Sequence, residues 1–194
     1  MAKTGLVLGL DVSTSITGLV LLDNVIDFDP KKNIVHYEPI EFKGCTTFWQ
    51  KCDKIKSQLD KLYIQQPNVE SFFIEEPMKR FAEGFSSAET ISVLQRFNGI
   101  VCYLVREVWK IDPVYINVSS ARKSIGIKVT TKAKAGGRNA KQQTFDHVTA
   151  GDLNHIVWPT KKRSVNTVDW AKDVVDAFVI ARAGIILNNS GVVK

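Results

Sequence analysis

"GLVLGLDVSTSITGLVLLD", residues 5–23, contains two runs rich in Leu and Val, 5–11 and 16–23, joined by small polar residues that suit a tight turn. The pair reads as a β-hairpin. Its first run ends in a carboxylate, Asp11, although the other residues are those of a buried strand. Burying an unpaired carboxylate costs several kcal/mol, so an inward-facing Asp11 needs a cation or a phosphate-bound metal as its partner.

Outward from the hairpin, a turn-like segment over 23–33 leads into "IVHYEPIEFKG" (34–44), a third strand that Pro39 assigns to a sheet edge. Residues 46–66 place Phe48, Cys52, Ile55, Leu59, Leu62 and Tyr63 at helical spacing with charges opposite. "ESFFIEEP" (70–77) reads as a fourth strand stopped by Pro77. "SSAETISVLQRFNGIVCYLVREVW" (86–109) reads as a long helix capped by Ser86 or Ser87, with an apolar surface broad enough to meet both the sheet and a second subunit. "PVYINVS" (113–119) supplies a fifth strand, "SSARKSIG" (119–126) a short helix capped by Ser119 or Ser120, and a last helix runs from Val168 to about Leu187. Three meander strands followed by βαβ crossovers build an α/β fold, a five-stranded mixed sheet with helices on both faces. That order is the one of the ribonuclease H-like fold.

A chain of 194 residues, 44% apolar and 24% charged, is long enough for one well-packed core, and a single domain over 1–194 is expected. No apolar run approaches the roughly 20 residues needed to span a bilayer, and the N-terminal run is too short for a signal peptide, so a cytoplasmic protein is expected with no membrane partner. Cys45, Cys52 and Cys102 lack CxxC spacing and are expected as small buried hydrophobes. The net charge of +6 is concentrated: between Ser119 and Arg163 ten basic residues face only Asp146 and Asp152. Arg122 and Lys123 in the short helix, and Lys132, Lys134, Arg138 and Lys141 on what reads as a basic mobile arm over about 127–167 with at most one short helix near 141–148, are therefore candidate phosphate contacts.

Four acidic positions interrupt apolar faces. Beside Asp11, one carboxylate of "FFIEEP" must point inward; alternation leaves Glu75 and Glu76 both open. In "VDWAKDVVDAFVIARAG" (168–184), Asp173 and Asp176 lie one turn apart among Val, Ala and Phe, where two like charges repel unless a cation lies between them. Asp169, a turn earlier, is a decoy or an outer-shell ligand. Oxygen-only ligands suit Mg²⁺, with Mn²⁺ able to substitute, and two such ions can drive phosphodiester hydrolysis. Asp11, Glu75 (or Glu76), Asp173 and Asp176 are thus the candidate catalytic and metal ligands.

"LGLDVSTSITG", "FFIEEP" and "DVVDAFVIA", in this order, resemble the motifs of the RuvC family of Holliday-junction resolvases. Asp11 with Thr17 and Gly18 is similar to the family's first motif, "IEE" to its Ile-Glu strand, which favours Glu75, and the last stretch to its DxxDA helix motif. "GRNAKQQTFDHV" (137–148) resembles the family's basic helix, whose Lys approaches the junction; that Lys is Lys141 here. The resemblance implies a Mg²⁺-dependent homodimer that resolves four-way DNA junctions by paired nicks. It also implies an aromatic contact to junction bases shortly after the Glu. Phe81 or Phe85 is nearest in type, and the loop carrying them adds Lys79 and Arg80 as candidate DNA contacts. Val12 and Ser13 depart from the family's Pro-Gly after the first Asp, and 148–168 reads as an insertion. Two rivals use the same residues: a ribonuclease H-like enzyme acting on RNA or RNA:DNA hybrid, and half of an actin-like or sugar kinase ATPase, whose phosphate loop "GLDVSTSITG" also resembles. The latter needs a second domain for which the chain has little room.

Overall fold

The computed structural model describes residues 5–77, 88–161 and 167–191. Strand β1 (Leu6–Asp11) is buried along its whole length because it lies at the centre of the sheet. It forms the expected hairpin with β2 (Ile16–Asp23), from which β3 (Ile34–Glu41) continues antiparallel as the edge strand that Pro39 predicts. The hairpin turn is fixed by Ser13: its hydroxyl accepts from the N–H groups of Ser15 and Ile16 and donates to the Ile16 carbonyl at 2.7 Å. Strands β4 (Val69–Glu75) and β5 (Pro113–Ile116) are parallel to β1, which gives the order β3-β2-β1-β4-β5. This is the five-stranded mixed sheet of the ribonuclease H-like fold.

One face of the sheet is covered by α2 (Phe48–Gln65) and α3 (Ala88–Trp109). Helix α2 starts at a capping box in which Thr47 and Gln50 satisfy each other's backbone N–H groups. Leu8, Leu10, Leu19, Leu21, Phe72 and Ile74 of the sheet pack there against Ile55, Leu59, Phe97, Val101 and Val105. The opposite face carries α4 (Val118–Ser124), α5 (Ala140–Ala150) and α6 (Trp170–Asn189), with Val7, Val20, Leu22 and Phe73 meeting the apolar side of α6.

Several expectations are corrected. The segment read as a plain turn holds a one-turn helix, α1 (Pro30–Asn33), which Asp29 caps and Pro30 begins. Helix α4 is capped by Asn117, whose side chain accepts from the N–H groups of Ser119 and Ser120, the two residues expected to cap it. The described part of the expected basic arm, 127–161, carries buried apolar residues. Ile127, Phe145, Val148 and Leu153 are buried against the α6 side of the core, and the Trp158 ring meets those of Tyr37, Phe145 and Trp170 at tilted angles. Those apolar residues recur with no helical or strand period, so the sequence shows only the polar residues between them. Cys52 and Cys102 are buried free thiols as expected, whereas Cys45 is only half-buried.

Candidate active site

Alternation along β1 turns Leu8 and Leu10 toward α2 and α3, and Val7, Gly9 and Asp11 toward α6. Two glycines let α6 come down onto the sheet there. A Cβ on Gly9 would meet the Ala177 carbonyl and the Ala181 methyl, and a Cβ on Gly18, the register partner of Asp11, would meet the backbone carbonyl of Asp173. Helix α6 therefore rests on bare backbone, and its first two turns deliver Asp173 and Asp176 to the end of β1. Because β4 runs parallel to β1, its C-terminal end opens at the same edge, where ligands of parallel sheets bind. Glu75 shares the face of Phe73, which packs on the α6 side, and so shares it with Asp11. Glu76 lies past the strand, its N–H donating to the Ile116 carbonyl.

Three of these carboxylates meet at one ammonium group. Lys141 Nζ donates to Asp11 Oδ2 at 3.0 Å and Asp173 Oδ1 at 2.7 Å, and lies 3.1 Å from Asp176 Oδ2. Arg122 Nη2 stands 3.7 Å from the other Asp176 oxygen, and among the described residues neither that oxygen nor Arg122 Nε has a hydrogen-bond partner. Burial, reinforced by the charges of Asp11 and Asp176, pushes Glu75 up to about 7. Burial also raises Asp173 and Asp176, with Lys141 pulling both back. For Lys141 burial favours the neutral form, but the surrounding carboxylates outweigh it and hold the ammonium above its ordinary value.

The donor set is all oxygen, with one buried oxygen unpartnered and four acidic groups facing two cations. That chemistry fits a hard divalent ion. The spacing is that of an ammonium, about 3 Å, where Mg²⁺ takes its ligands at about 2.0–2.1 Å. Accordingly, no three His, Cys, Asp or Glu side chains among the described residues stand at metal-binding distance.

The candidate DNA contacts separate into two groups. Lys123, Lys132, Lys134 and Arg138 lie at the surface, with Arg138 tied to Asp146 and to the Ala135 carbonyl, both at 3.1 Å. Arg122 and Lys141 instead point into the carboxylate cluster. Lys79, Arg80, Phe81 and Phe85 lie outside the described residues. Sequence reasoning missed the inward turn of Arg122 and the supporting role of Gly9; a glycine inside a fully buried strand was the available signal.

Fold and cluster together define a ribonuclease H-like α/β protein with an acidic centre at the ends of its central strands. Within that class the chain is similar in structure to Thermus thermophilus RuvC bound to a Holliday junction substrate (TM-score 0.66, 13% identity, 98% of each chain covered). It is also similar to another Thermus thermophilus RuvC structure (0.61, 15%, 97% of this chain and 98% of that one). A third similar structure is the yeast mitochondrial Holliday junction resolvase Ydc2 (0.56, 12%, 96% and 80%). No protein-family model and no curated protein matches the sequence. The RuvC-like resemblance drawn from motifs is thus matched in three dimensions, at the level of the fold. No helix among the described residues is long and apolar enough to cross a membrane.

Proposed function

We propose that this protein is a divalent-metal-dependent, structure-selective DNA endonuclease that resolves four-way junctions by paired nicks. The observation that carries this reading is the meeting of Asp11, Asp173 and Asp176 at one point beside Glu75, from three elements far apart in the chain. Asp11 is assigned the central ligand position, with Glu75, Asp173 and Asp176 completing the shells of two Mg²⁺ ions, for which Mn²⁺ would substitute. Those ions would supply an activated water on one side of the scissile phosphodiester and charge stabilisation for the departing oxygen on the other. The protein's own residues hold the carboxylates in place. Lys123, Lys132, Lys134 and Arg138, with Lys79, Arg80 and Phe81, are assigned to the DNA.

Paired nicks need two such centres, hence a homodimer. Between α2 and α3 an open apolar groove carries Trp49, Ile64 and Tyr103, respectively 68%, 81% and 59% exposed, which supports pairing through this face. The similar structure bound to a Holliday junction substrate favours branched DNA over RNA as the partner. The test is incubation with four-way, flap and linear duplex DNA and RNA:DNA hybrid, with and without Mg²⁺. Mg²⁺-dependent symmetric cleavage of the four-way junction alone is expected. Preferred cleavage of the hybrid would assign a ribonuclease, and nucleotide hydrolysis without cleavage an ATPase.

A further inference from the structure

We infer that Lys141 is a displaceable internal cation, occupying the point between Asp11, Asp173 and Asp176 that a divalent ion takes, so that the ion and the ammonium exclude one another. The inference rests on the reading that these carboxylates bind metal. It concerns what the metal must compete with.

Three carboxylate oxygens lie 2.7–3.1 Å from Lys141 Nζ, so the ammonium stands where an ion bridging them would stand. An ion in contact with these same three oxygens would stand on the position of the ammonium, so the two cannot occupy it together. Lys141 can leave: its side chain is 36% exposed, and it sits in the first turn of α5 on a flexible four-carbon stem. Helix α5 need not move, because Phe145 and Val148 hold it in the core. Arg122, by contrast, is nearly enclosed and remains beside Asp176. Without metal, Lys141 relieves the repulsion between Asp173 and Asp176; with metal, the ion does so. Metal affinity is therefore reduced by whatever free energy the lysine contacts contribute.

The first measurement is calorimetric titration of Mn²⁺, without DNA, into the wild-type protein, Lys141→Met and Asp11→Asn. Asp11-dependent binding that tightens by about tenfold or more in Lys141→Met is expected, within the usual range of coupled equilibria. If Lys141→Met binds Mn²⁺ as weakly as wild type or more weakly, while wild-type binding still depends on Asp11, the lysine is only structural and the inference is overturned with the metal site intact. If wild type shows no Asp11-dependent binding, the metal reading itself falls and takes the inference with it. Because removing a buried cation can disturb folding, a second measurement uses wild type alone: acylation of Lys141 by an amine reagent, followed by peptide mass spectrometry with exposed Lys132 as reference. Saturating Mn²⁺ should accelerate modification of Lys141 several-fold relative to Lys132; an unchanged ratio with Mn²⁺ bound overturns the inference.

Discussion

Gly18 in β2 lies directly beneath the backbone carbonyl of Asp173 in α6, with no room between them for a Cβ. Since Gly18 is also the register partner of Asp11, this one contact sets the height of the helix above the strand that carries the central carboxylate. Gly18→Ala must lift α6 or shift β2. A loss of about 1–3 kcal/mol is expected from overpacking, read by denaturant unfolding. Cleavage should fall further than stability does, because the displacement occurs at Asp173 itself. A variant with wild-type stability and rate would show that α6 is not seated by this contact.

Asp11→Asn keeps the shape of the strand end and removes its charge. Junction cleavage in Mg²⁺ should be abolished while gel-shift affinity for the junction is preserved, since the surface lysines Lys123, Lys132 and Lys134 are unchanged. Parallel loss of binding would mean that Asp11 supports the fold or the DNA surface rather than a metal.

Glu75, Asp173 and Asp176 all have raised carboxyl pKa values, Glu75 to about 7, caused first by burial and then by Asp11 for Glu75 and Asp176, while Lys141 opposes the shift in all three and Arg122 in Glu75 and Asp176. A raised carboxyl holds its proton in the folded state after the unfolded chain has released it. Metal-free stability must therefore fall as pH rises from about 4.5 toward 7. Lys141, with its ammonium held above its ordinary value, stays charged throughout this window and adds no slope. Melting in chelator should give a lower Tm at pH 7.5 than at pH 5, on general grounds of linkage. Glu75→Gln should flatten the dependence, and a Tm that rises over this range would contradict the assignment.

Lys132 and Lys134 are exposed, whereas Arg138 already has Asp146 as a partner. Replacing both lysines by Ala should weaken junction binding and reduce the slope of log affinity against log salt by about two, one phosphate contact each. Equal slopes for the variant and wild type would remove this loop from the DNA interface.

Tyr103, on the outer side of α3 beside Trp49 of α2, lines the apolar groove between the helices. Tyr103→Glu should convert a dimer to a monomer in sedimentation equilibrium and turn paired nicking into single nicks. A wild-type protein that sediments as a monomer at micromolar concentration would remove the basis for this expectation.

Much of this architecture was legible because its signals are local. Apolar runs in β1, β2 and β4, the helical spacing of Ile55, Leu59 and Leu62, and Pro39 at the edge each betray their element directly. The candidate carboxylates stand out in the sequence as charges on apolar faces; alternation leaves Glu75 and Glu76 open, the family resemblance favours Glu75, and the structure puts Glu75 on the face of Phe73. The buried residues of 127–158 are not legible in the sequence because they are scattered without a period. The position of Arg122 is hidden for a related reason. A basic residue in a short helix looks solvated until α4 packs on α6 and turns that side chain toward Asp176.

The acidic centre draws Asp11 from the first strand and Asp173 and Asp176 from a helix at residues 170–189, joined by a lysine 130 positions from Asp11. On the ribosome the hairpin emerges long before that helix is synthesised. The carboxylates cannot assemble on a nascent or truncated chain, so any capacity for cutting that they confer is withheld until translation has passed residue 176 and the product has closed on itself.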